Sequence, residues 1–120
     1  MMSHNFRKLH IWNDSLELVT DCYRMTESLP SDEKFGLVSQ IRRAAVSVSS
    51  NIAEGANRSS DKDFVRFLYM SKGSISELIT QMEITVRLGM IKANEIEPLN
   101  DMLDKLDKSI YKLIQKLKND

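Results

Sequence analysis

Residues 38–58 read VSQIRRAAVSVSSNIAEGANR, and the architecture of the whole chain can be built outward from this segment. Apolar residues recur along it every three or four positions, which places them on one face of an α-helix. These residues are Val38, Ile41, Ala45, Val48 and Ile52. Gly55 can take the left-handed conformation that often ends a helix. The segment therefore predicts a long second helix, from about Ser31 to about Asn57, that buries one apolar face.

Three other segments have the same periodicity, and each predicts a helix with one buried face. In helix one, over about residues 7–28, the predicted core residues are Leu9, Trp12, Leu16, Val19, Tyr23 and Thr26. In helix three, which follows a Ser59-Ser60-Asp61 cap and ends at Gly89, they are Phe64, Phe67, Leu68, Ser71, Ile75, Leu78, Met82 and Val86. In helix four they are Leu99, Leu103, Leu106, Ile110, Leu113 and Leu117.

Short turns join the four segments. Leu29-Pro30 ends helix one because proline disfavours helix in the residue before it, and Ser31 supplies the next cap. Asn94 and Glu97 resemble a capping box, and the proline that follows falls in the first turn of helix four. Helices joined by short turns run antiparallel to their neighbours. We therefore predict one all-α domain, residues 1–120, folded as an up-down-up-down four-helix bundle.

Some apolar residues fall outside these stripes. Ile11, Leu18 and Met25 recur every seven residues on another side of helix one, and Leu37 and Ala44 do so on helix two. Val65, Ile79 and Val86 flank the stripe of helix three. Large exposed apolar patches are uncommon on monomers. The flanks therefore predict subunit contacts, unless the core faces are simply wider than one stripe.

The composition excludes several classes of protein. The chain has 42% hydrophobic and 28% charged residues with only 4 Gly and 2 Pro, which is typical of a helical globular protein. Cys22 is the only cysteine, which excludes an intramolecular disulfide framework and a cysteine-based zinc site. The first residues lack the apolar core of a signal peptide, and no apolar run approaches the about 18 residues of a membrane span. We expect a cytoplasmic protein with no membrane association.

Helix two carries a polar stripe beside its apolar one. At the same helical spacing, and therefore on one face, lie Gln40, Arg43, Ser47, Asn51, Glu54 and Arg58. The small residues around the stripe would allow close packing of helices, and Glu54 is spaced to pair with Arg58. Alternatively, the stripe is a subunit or partner interface, for which the candidate residues are Gln40, Arg42, Arg43, Ser47, Asn51 and Glu54.

The same segment carries a family resemblance. The runs SQIRRAA at 39–45, SNIAEG at 50–55 and GSISEL at 73–78 resemble the four-helix-bundle proteins encoded in intervening sequences of 23S rRNA genes. The resemblance covers nearly the whole chain and implies a homo-oligomer, a cyclic pentamer, without enzyme activity. The family is also similar to the accessory bundle protein of diversity-generating retroelements, which associates with a reverse transcriptase and nucleic acid. The resemblance thus implies RNA or a nucleic-acid enzyme as a partner.

The chain has 17 basic and 17 acidic residues, but the predicted bundle separates them. The end that holds residues 5–10, 54–66 and 105–120 has ten basic and five acidic residues, whereas the opposite end, residues 21–34 and 77–104, has four basic and ten acidic ones. In a cyclic oligomer the basic ends would form one face of the ring, which could bind phosphates. The candidate nucleic-acid-binding residues are Arg43, Arg58, Lys62, Arg66, Lys105, Lys108, Lys112 and Lys116.

Two functions remain open at this point. The first is a non-catalytic, ring-forming bundle that binds RNA or a nucleic-acid enzyme through its basic end. No aromatic residue is interleaved among the lysines of helix four, so such binding would be non-specific or shape-directed, and salt-sensitive. The second is a protein-protein interaction scaffold, or an accessory subunit, that binds no nucleic acid. The two differ in the salt-sensitive binding of RNA that only the first predicts.

Other functions are disfavoured. A helix-turn-helix reading fails because Asp61 and Asp63 would open the recognition helix and repel phosphates. Catalysis, a metal site and a cofactor are not predicted, because His4 and His10 stand apart near the N-terminus and the serines have no base in helical register. Cys22 is predicted to be a semi-buried hydrophobe rather than a nucleophile.

Overall fold

The structure, a computed structural model, describes residues 4–119 and consists mainly of four long helices. These are α1 (His10–Thr26), α2 (Leu37–Ala56), α3 (Asp61–Arg87) and α4 (Ala93–Asn119), with short 3₁₀ turns at Phe6–Lys8 and Ser31–Glu33. Each helix packs against the next one in the chain, and α4 packs against α1. The predicted four-helix bundle is confirmed, and its extents are 48 × 23 × 20 Å.

Three of the four predicted core stripes are correct. All the predicted core residues of α2 are buried, and so are those of α3 and α4 apart from Val86 and Leu113, which are half-buried. These stripes consist mainly of large apolar residues, whose transfer out of water dominates the choice of buried face. Of the flanking residues expected to make subunit contacts, Ala44 of α2 is buried in the core, whereas Ile79 of α3 remains 39% exposed.

α2 begins later than predicted. Ser31–Glu33 forms a separate 3₁₀ turn, and Gly36 leaves the helical region with φ −105° and ψ −111°, so the helix starts at Leu37. The Glu33 carboxylate accepts a hydrogen bond from the Leu37 N–H at 3.4 Å. This carboxylate, rather than the hydroxyl of Ser31, therefore satisfies a donor at the start of α2.

α4 begins earlier than predicted. Glu95 Oε1 accepts a hydrogen bond from the Lys92 N–H at 3.3 Å, so the capping interaction lies two residues before the predicted pair of Asn94 and Glu97. Pro98 is consequently the sixth residue of the helix rather than part of its first turn. Because proline has no N–H, it cannot donate the helical hydrogen bond to the carbonyl four residues earlier.

The predicted core face of α1 was wrong except for Thr26, which is buried as predicted. Ile11 and Leu18 are buried, although they belong to the flank that was expected to make subunit contacts. Leu16 and Tyr23 of the predicted stripe are 40% and 39% exposed. α1 therefore has two apolar sides, of which the bundle buries the one with fewer large residues.

The buried face of α1 includes small polar side chains. Ser15 is fully buried, and its hydroxyl donates to the Trp12 carbonyl at 2.6 Å and accepts from the Ser49 hydroxyl of α2 at 2.8 Å. The buried Thr26 hydroxyl donates to the Tyr23 carbonyl at 3.0 Å. Since these hydroxyls have partners, the core can hold them without a large desolvation penalty.

α2 and α3 approach each other closely through small residues. A Cβ atom added to Gly55 would lie 2.7 Å from Phe67 Cβ and 2.9 Å from Phe64 Cδ1. Further along the same contact, the Ser74 hydroxyl donates to the Ser47 hydroxyl at 2.9 Å. The two helices can approach this closely only because larger side chains are absent from the contact.

Gly55→Ala should destabilise the protein by about 1–3 kcal/mol, because the new methyl group overlaps the Phe67 Cβ atom and the Phe64 ring. Gly73→Ala is the matched control, since a Cβ at Gly73 meets nothing within 4 Å and alanine favours helix by about 1 kcal/mol over glycine. Urea unfolding should shift the two midpoints in opposite directions. Equal effects would contradict the close approach of α2 and α3.

Candidate nucleic-acid interface

The basic end of the bundle brings together three segments. They are the residues before α1, the turn between α2 and α3, and the C-terminal half of α4. Lys116 and Lys118 lie in the last turn of α4, where the negative end of the helix dipole favours cations. The helix dipole therefore stabilises these two lysines at the end of α4. The ability of the basic end to bind an anion depends on which of its cations lack a carboxylate partner.

A groove of about 400 Å³ runs between the start of α1 and the C-terminal half of α4. It is lined by Leu9, His10, Ile11, Ser109, Lys112, Leu113 and Lys116, with no carboxylate among them. Within residues 4–119, neither Lys112 nor Lys116 forms an ion pair. The ammonium groups beside this groove can therefore bind anions from solvent.

Lys108 extends this cationic surface along α4. Together with Lys112 and Lys116 it recurs every four residues, so the three side chains are spaced about 6 Å apart along the helix axis. All three are exposed. The next position at this spacing is Asp104, and the hollow that Lys105 lines is also lined by Asp14, Glu17 and Asp101. These carboxylates offset the charge of Lys105, so the row of uncompensated lysines ends at Lys108.

Arg58 and Arg66 form a second cationic group around one aromatic ring. Their guanidinium carbons lie 4.5 and 4.6 Å from the centroid of the Phe67 ring. Both also pair with Asp63, at 3.9 and 2.9 Å respectively. The predicted pairing of Arg58 with Glu54 is replaced by the one with Asp63, because the turn brings the first residues of α3 alongside Arg58. One carboxylate shared by two arginines leaves one positive charge.

Lys62 lies at the other side of the α4 C-terminus. It lines a hollow of about 310 Å³ with Val65, Leu117 and Lys118. The neighbouring Asp61 carboxylate is within 3.2 Å of His4 Nε2, and the His4 ring packs against Phe64 at 5.0 Å between centroids. His4 of the N-terminal segment thus contacts the Asp61 carboxylate, and Lys62 remains exposed.

Arg43 lies away from the other candidate residues. It is thirteen residues before Ala56, the last residue of α2, and is therefore about 20 Å from the basic end. The hollow beside it is lined by Tyr23, Lys34, Phe35, Val38, Ser39, Arg42 and Val46. Of the candidate nucleic-acid-binding residues, Arg43 therefore lies outside the basic end, away from the other seven.

The polar stripe of α2 divides in the same way. Asn51 Nδ2 donates to the Ser47 carbonyl at 2.9 Å and to the Ser47 hydroxyl at 3.0 Å, so this part of the stripe serves packing within the chain. Gln40, Arg43 and Glu54 are exposed.

Arg42, which was grouped with the interface candidates, is held by α1. Its Nε donates to the Thr26 hydroxyl at 2.9 Å, and its guanidinium carbon lies 4.4 Å from the centroid of the Tyr23 ring. These two contacts fix the orientation of Arg42 on the outside of the bundle.

The sequence reasoning missed one surface, the exposed apolar strip between α1 and α2. Leu16 and Tyr23 of α1 lie there with Val46 of α2, and Phe35 in the preceding turn is 89% exposed. The second apolar stripe of helix one was the available signal. It was assigned to the core because its residues recur every three or four positions.

The family model described as "23S rRNA-intervening sequence protein" matches residues 7–112. The chain belongs to this family. A crystal structure of a protein with unknown function from the S23 ribosomal protein family of Bacteroides thetaiotaomicron VPI-5482 is similar in fold, with a TM-score of 0.80 and 24% sequence identity. The match covers 87% of this chain and 97% of that one. The comparison with curated proteins gives no match.

The described part of the chain, residues 4–119, contains neither a group of metal ligands nor a membrane span. Within residues 4–119, no three His, Cys, Asp or Glu side chains are grouped as a metal site would require. No helix of the same range is long and apolar enough to cross a membrane. Cys22 is fully buried, and thus more deeply buried than the predicted semi-buried position.

Burial raises the pKa of the Cys22 thiol to about 12, and the charge of Asp21 adds to the effect. The unfolded chain would lose this proton near the ordinary pKa of 9.0, while the folded chain keeps it. Stability should therefore fall between pH 9 and 12, by up to about 1.4 kcal/mol per pH unit from this group. Cys22→Ala should unfold in urea with a shallower pH dependence above pH 9. Parallel pH profiles for the two proteins would refute the assignment.

Proposed function

We propose that this protein is a non-catalytic bundle that self-associates into a ring and binds the phosphate backbone of RNA with its basic end. The observation that carries the proposal is the groove between α1 and α4. It places Lys112 and Lys116 side by side with no carboxylate in its lining. An RNA backbone is a regular series of negative charges, and lysine binds such charges without reading the sequence.

Self-association multiplies the effect of a weak site. All subunits of a cyclic oligomer point the same way along its axis, so each basic end would face the same side of the ring. Several grooves that are individually weak can then bind one RNA molecule, and the combined affinity greatly exceeds that of one groove. The proposed ligand and the reduced thiol of Cys22 both fit a cytoplasmic location.

The serine hydroxyls of α2 and α3 support a role without catalysis. Ser47 and Ser74 are hydrogen-bonded to each other at 2.9 Å, and the buried Ser71 hydroxyl donates to the Val48 carbonyl at 2.9 Å. A nucleophilic serine needs a neighbouring base to remove its proton. Here the hydroxyls instead join helices.

A second candidate function is that of a protein-protein scaffold that binds no nucleic acid. It is favoured by the exposed apolar strip between α1 and α2, where Phe35 is 89% exposed. Apolar patches of this kind often mark a protein interface. The strip lies away from the basic groove, so a scaffold role leaves the uncompensated lysines of α4 without a function.

Lys112→Glu combined with Lys116→Glu should lower RNA affinity by at least about tenfold and reduce the slope of log K against log salt by about 1–2. Fluorescence anisotropy of a labelled structured RNA, titrated at several salt concentrations, measures both quantities. The matched control, Arg87→Glu with Lys92→Glu, makes the same change in net charge at the opposite end and should bind normally. Circular dichroism checks that the helices remain folded.

Equal loss of affinity in both double variants would mean that net charge alone controls binding, which contradicts the groove. No binding of the unmodified protein at low salt would overturn the RNA proposal and leave the scaffold.

A further inference from the structure

A second cationic hollow lies across α4 from the groove that α4 shares with α1. Within residues 4–119 its lining consists of Lys62, Val65, Leu117 and Lys118, and contains no carboxylate. Lys62 and Lys118 are exposed, and neither forms an ion pair in the described part of the chain. This hollow can therefore bind an anion from solvent, as the α1–α4 groove can.

The two hollows lie on opposite sides of α4. Lys116 lines the groove shared with α1, and Lys118 lines the hollow shared with α3. Because each residue of an α-helix turns by about 100°, these two lysines are about 160° apart around the helix axis. An α-helix with its side chains is about 10–12 Å across. The two groups of lysines are therefore separated by about the width of one helix.

The strip of α4 between the hollows, which we call the α4 ridge, runs from Lys108 to Asn119. By the helical spacing, Lys108, Gln115 and Asn119 fall on its outward side. No acidic residue occurs in this segment, which is about 17 Å long, whereas Asp104 lies one turn before it. A polyanion that follows the ridge would therefore be attracted along its whole length and repelled beyond Lys108.

The α4 ridge is low. Residues from α1 and α3 line the hollows beside it, so α4 does not protrude from the bundle as a separate helix. The major groove of B-form DNA is about 8.5 Å deep, and a helix must protrude from its domain to enter it. The minor groove of A-form RNA is wide and shallow, so a low ridge can lie over it.

The positions of the lysines match a duplex better than a single strand. Two phosphate strands border each groove of a duplex, and cations on both sides of the ridge can contact one strand each. A single strand could follow only one of the two groups of lysines at a time. The charges therefore complement a ligand with two parallel tracks of phosphate.

We propose that the α4 ridge lies over the minor groove of an RNA duplex. Lys112 and Lys116 contact the phosphates of one strand, and Lys62 and Lys118 contact those of the other strand. This inference rests on the RNA binding in the proposed function and names the form of RNA that is bound. Within the described residues, neither hollow is lined by α2, so the inference does not depend on how copies of the chain associate.

The amide side chains of the ridge give a means to distinguish RNA from DNA. Gln115 and Asn119 have amide groups that both donate and accept hydrogen bonds. The minor groove of A-form RNA displays 2′-hydroxyl groups, which also donate and accept, and which DNA lacks. Phosphate contacts carry no sequence information. We therefore expect recognition of duplex shape and of the 2′-hydroxyl groups, without preference for a base sequence.

Three ligands of equal length test the proposal: a blunt RNA duplex, one strand of that duplex, and the DNA duplex of the same sequence. Fluorescence anisotropy at one salt concentration should give a Kd for the RNA duplex that is lower by about tenfold or more than for either of the others. Several unrelated duplex sequences should bind equally well.

The outcomes separate this inference from the proposed function. Equal or tighter binding of the single strand would overturn the duplex proposal and leave RNA binding by the α1–α4 groove standing. Equal binding of the DNA duplex would mean that charge density, rather than the A-form minor groove, is recognised, which also overturns it. No binding of any of the three ligands at low salt would overturn both proposals.

Charge reversal on the α3 side of the ridge provides an independent test. Lys62→Glu combined with Lys118→Glu should lower the affinity for the RNA duplex by about tenfold or more and reduce the salt slope by about 1–2. The affinity for the single strand should fall by less than about threefold, because the α1–α4 groove can still bind it. Arg87→Glu with Lys92→Glu makes the same change in net charge at the opposite end and is the control.

A neutral variant and a folding measurement keep this test decisive. Lys62→Gln with Lys118→Gln should weaken duplex binding in the same direction, and thermal unfolding checks that each variant is as stable as the unmodified protein. Suppose that duplex affinity is unchanged in both Lys62 and Lys118 variants but lost in the Lys112 and Lys116 variant. Only one side of α4 would then bind RNA, which would overturn the placement of the ridge over a duplex groove.

Discussion

The close approach of α2 and α3 is the constraint on which the rest of the structure depends. Gly55 leaves room for the Phe67 Cβ and the Phe64 ring, and hydroxyl groups of α3 complete the contact. The Ser71 hydroxyl donates to a backbone carbonyl of α2, so even the helical main chain takes part. With this side of α2 filled by small residues, its larger apolar residues are buried in the centre of the bundle, and α1 packs against the other side of α2. The same rotation of α2 leaves Arg43 on the outside.

The charges follow from the up-down order of the helices. That order puts the C-terminal half of α4 beside the start of α1, where Lys112 and Lys116 border a groove without carboxylates. One hollow further along the same two helices, Lys105 lies among three carboxylates. The bundle therefore has a cationic end and an acidic end although its net charge is zero. A ring of such bundles would present the two charges on opposite faces.

The sequence predicted the faces of α2, α3 and α4 because large apolar residues there occupy a single stripe. It failed for α1, where Ser15 and Cys22 are buried while Leu16 is exposed. Which of two apolar sides is buried depends on what the other helices present, and the spacing within one helix contains no such information. The position of the α4 lysines at one end of the bundle was predicted from the up-down order of the helices alone.

The partners of the cations could not be predicted from spacing within one helix. Arg58 pairs with Asp63 across the turn, and the carboxylates near Lys105 include two from α1. Sedimentation velocity of the protein with a structured RNA tests the central claim most directly, because it reports assembly and binding together. We predict an oligomer that sediments with the RNA at low salt and separates from it at high salt. A monomer that sediments apart from the RNA at every salt concentration would contradict the account.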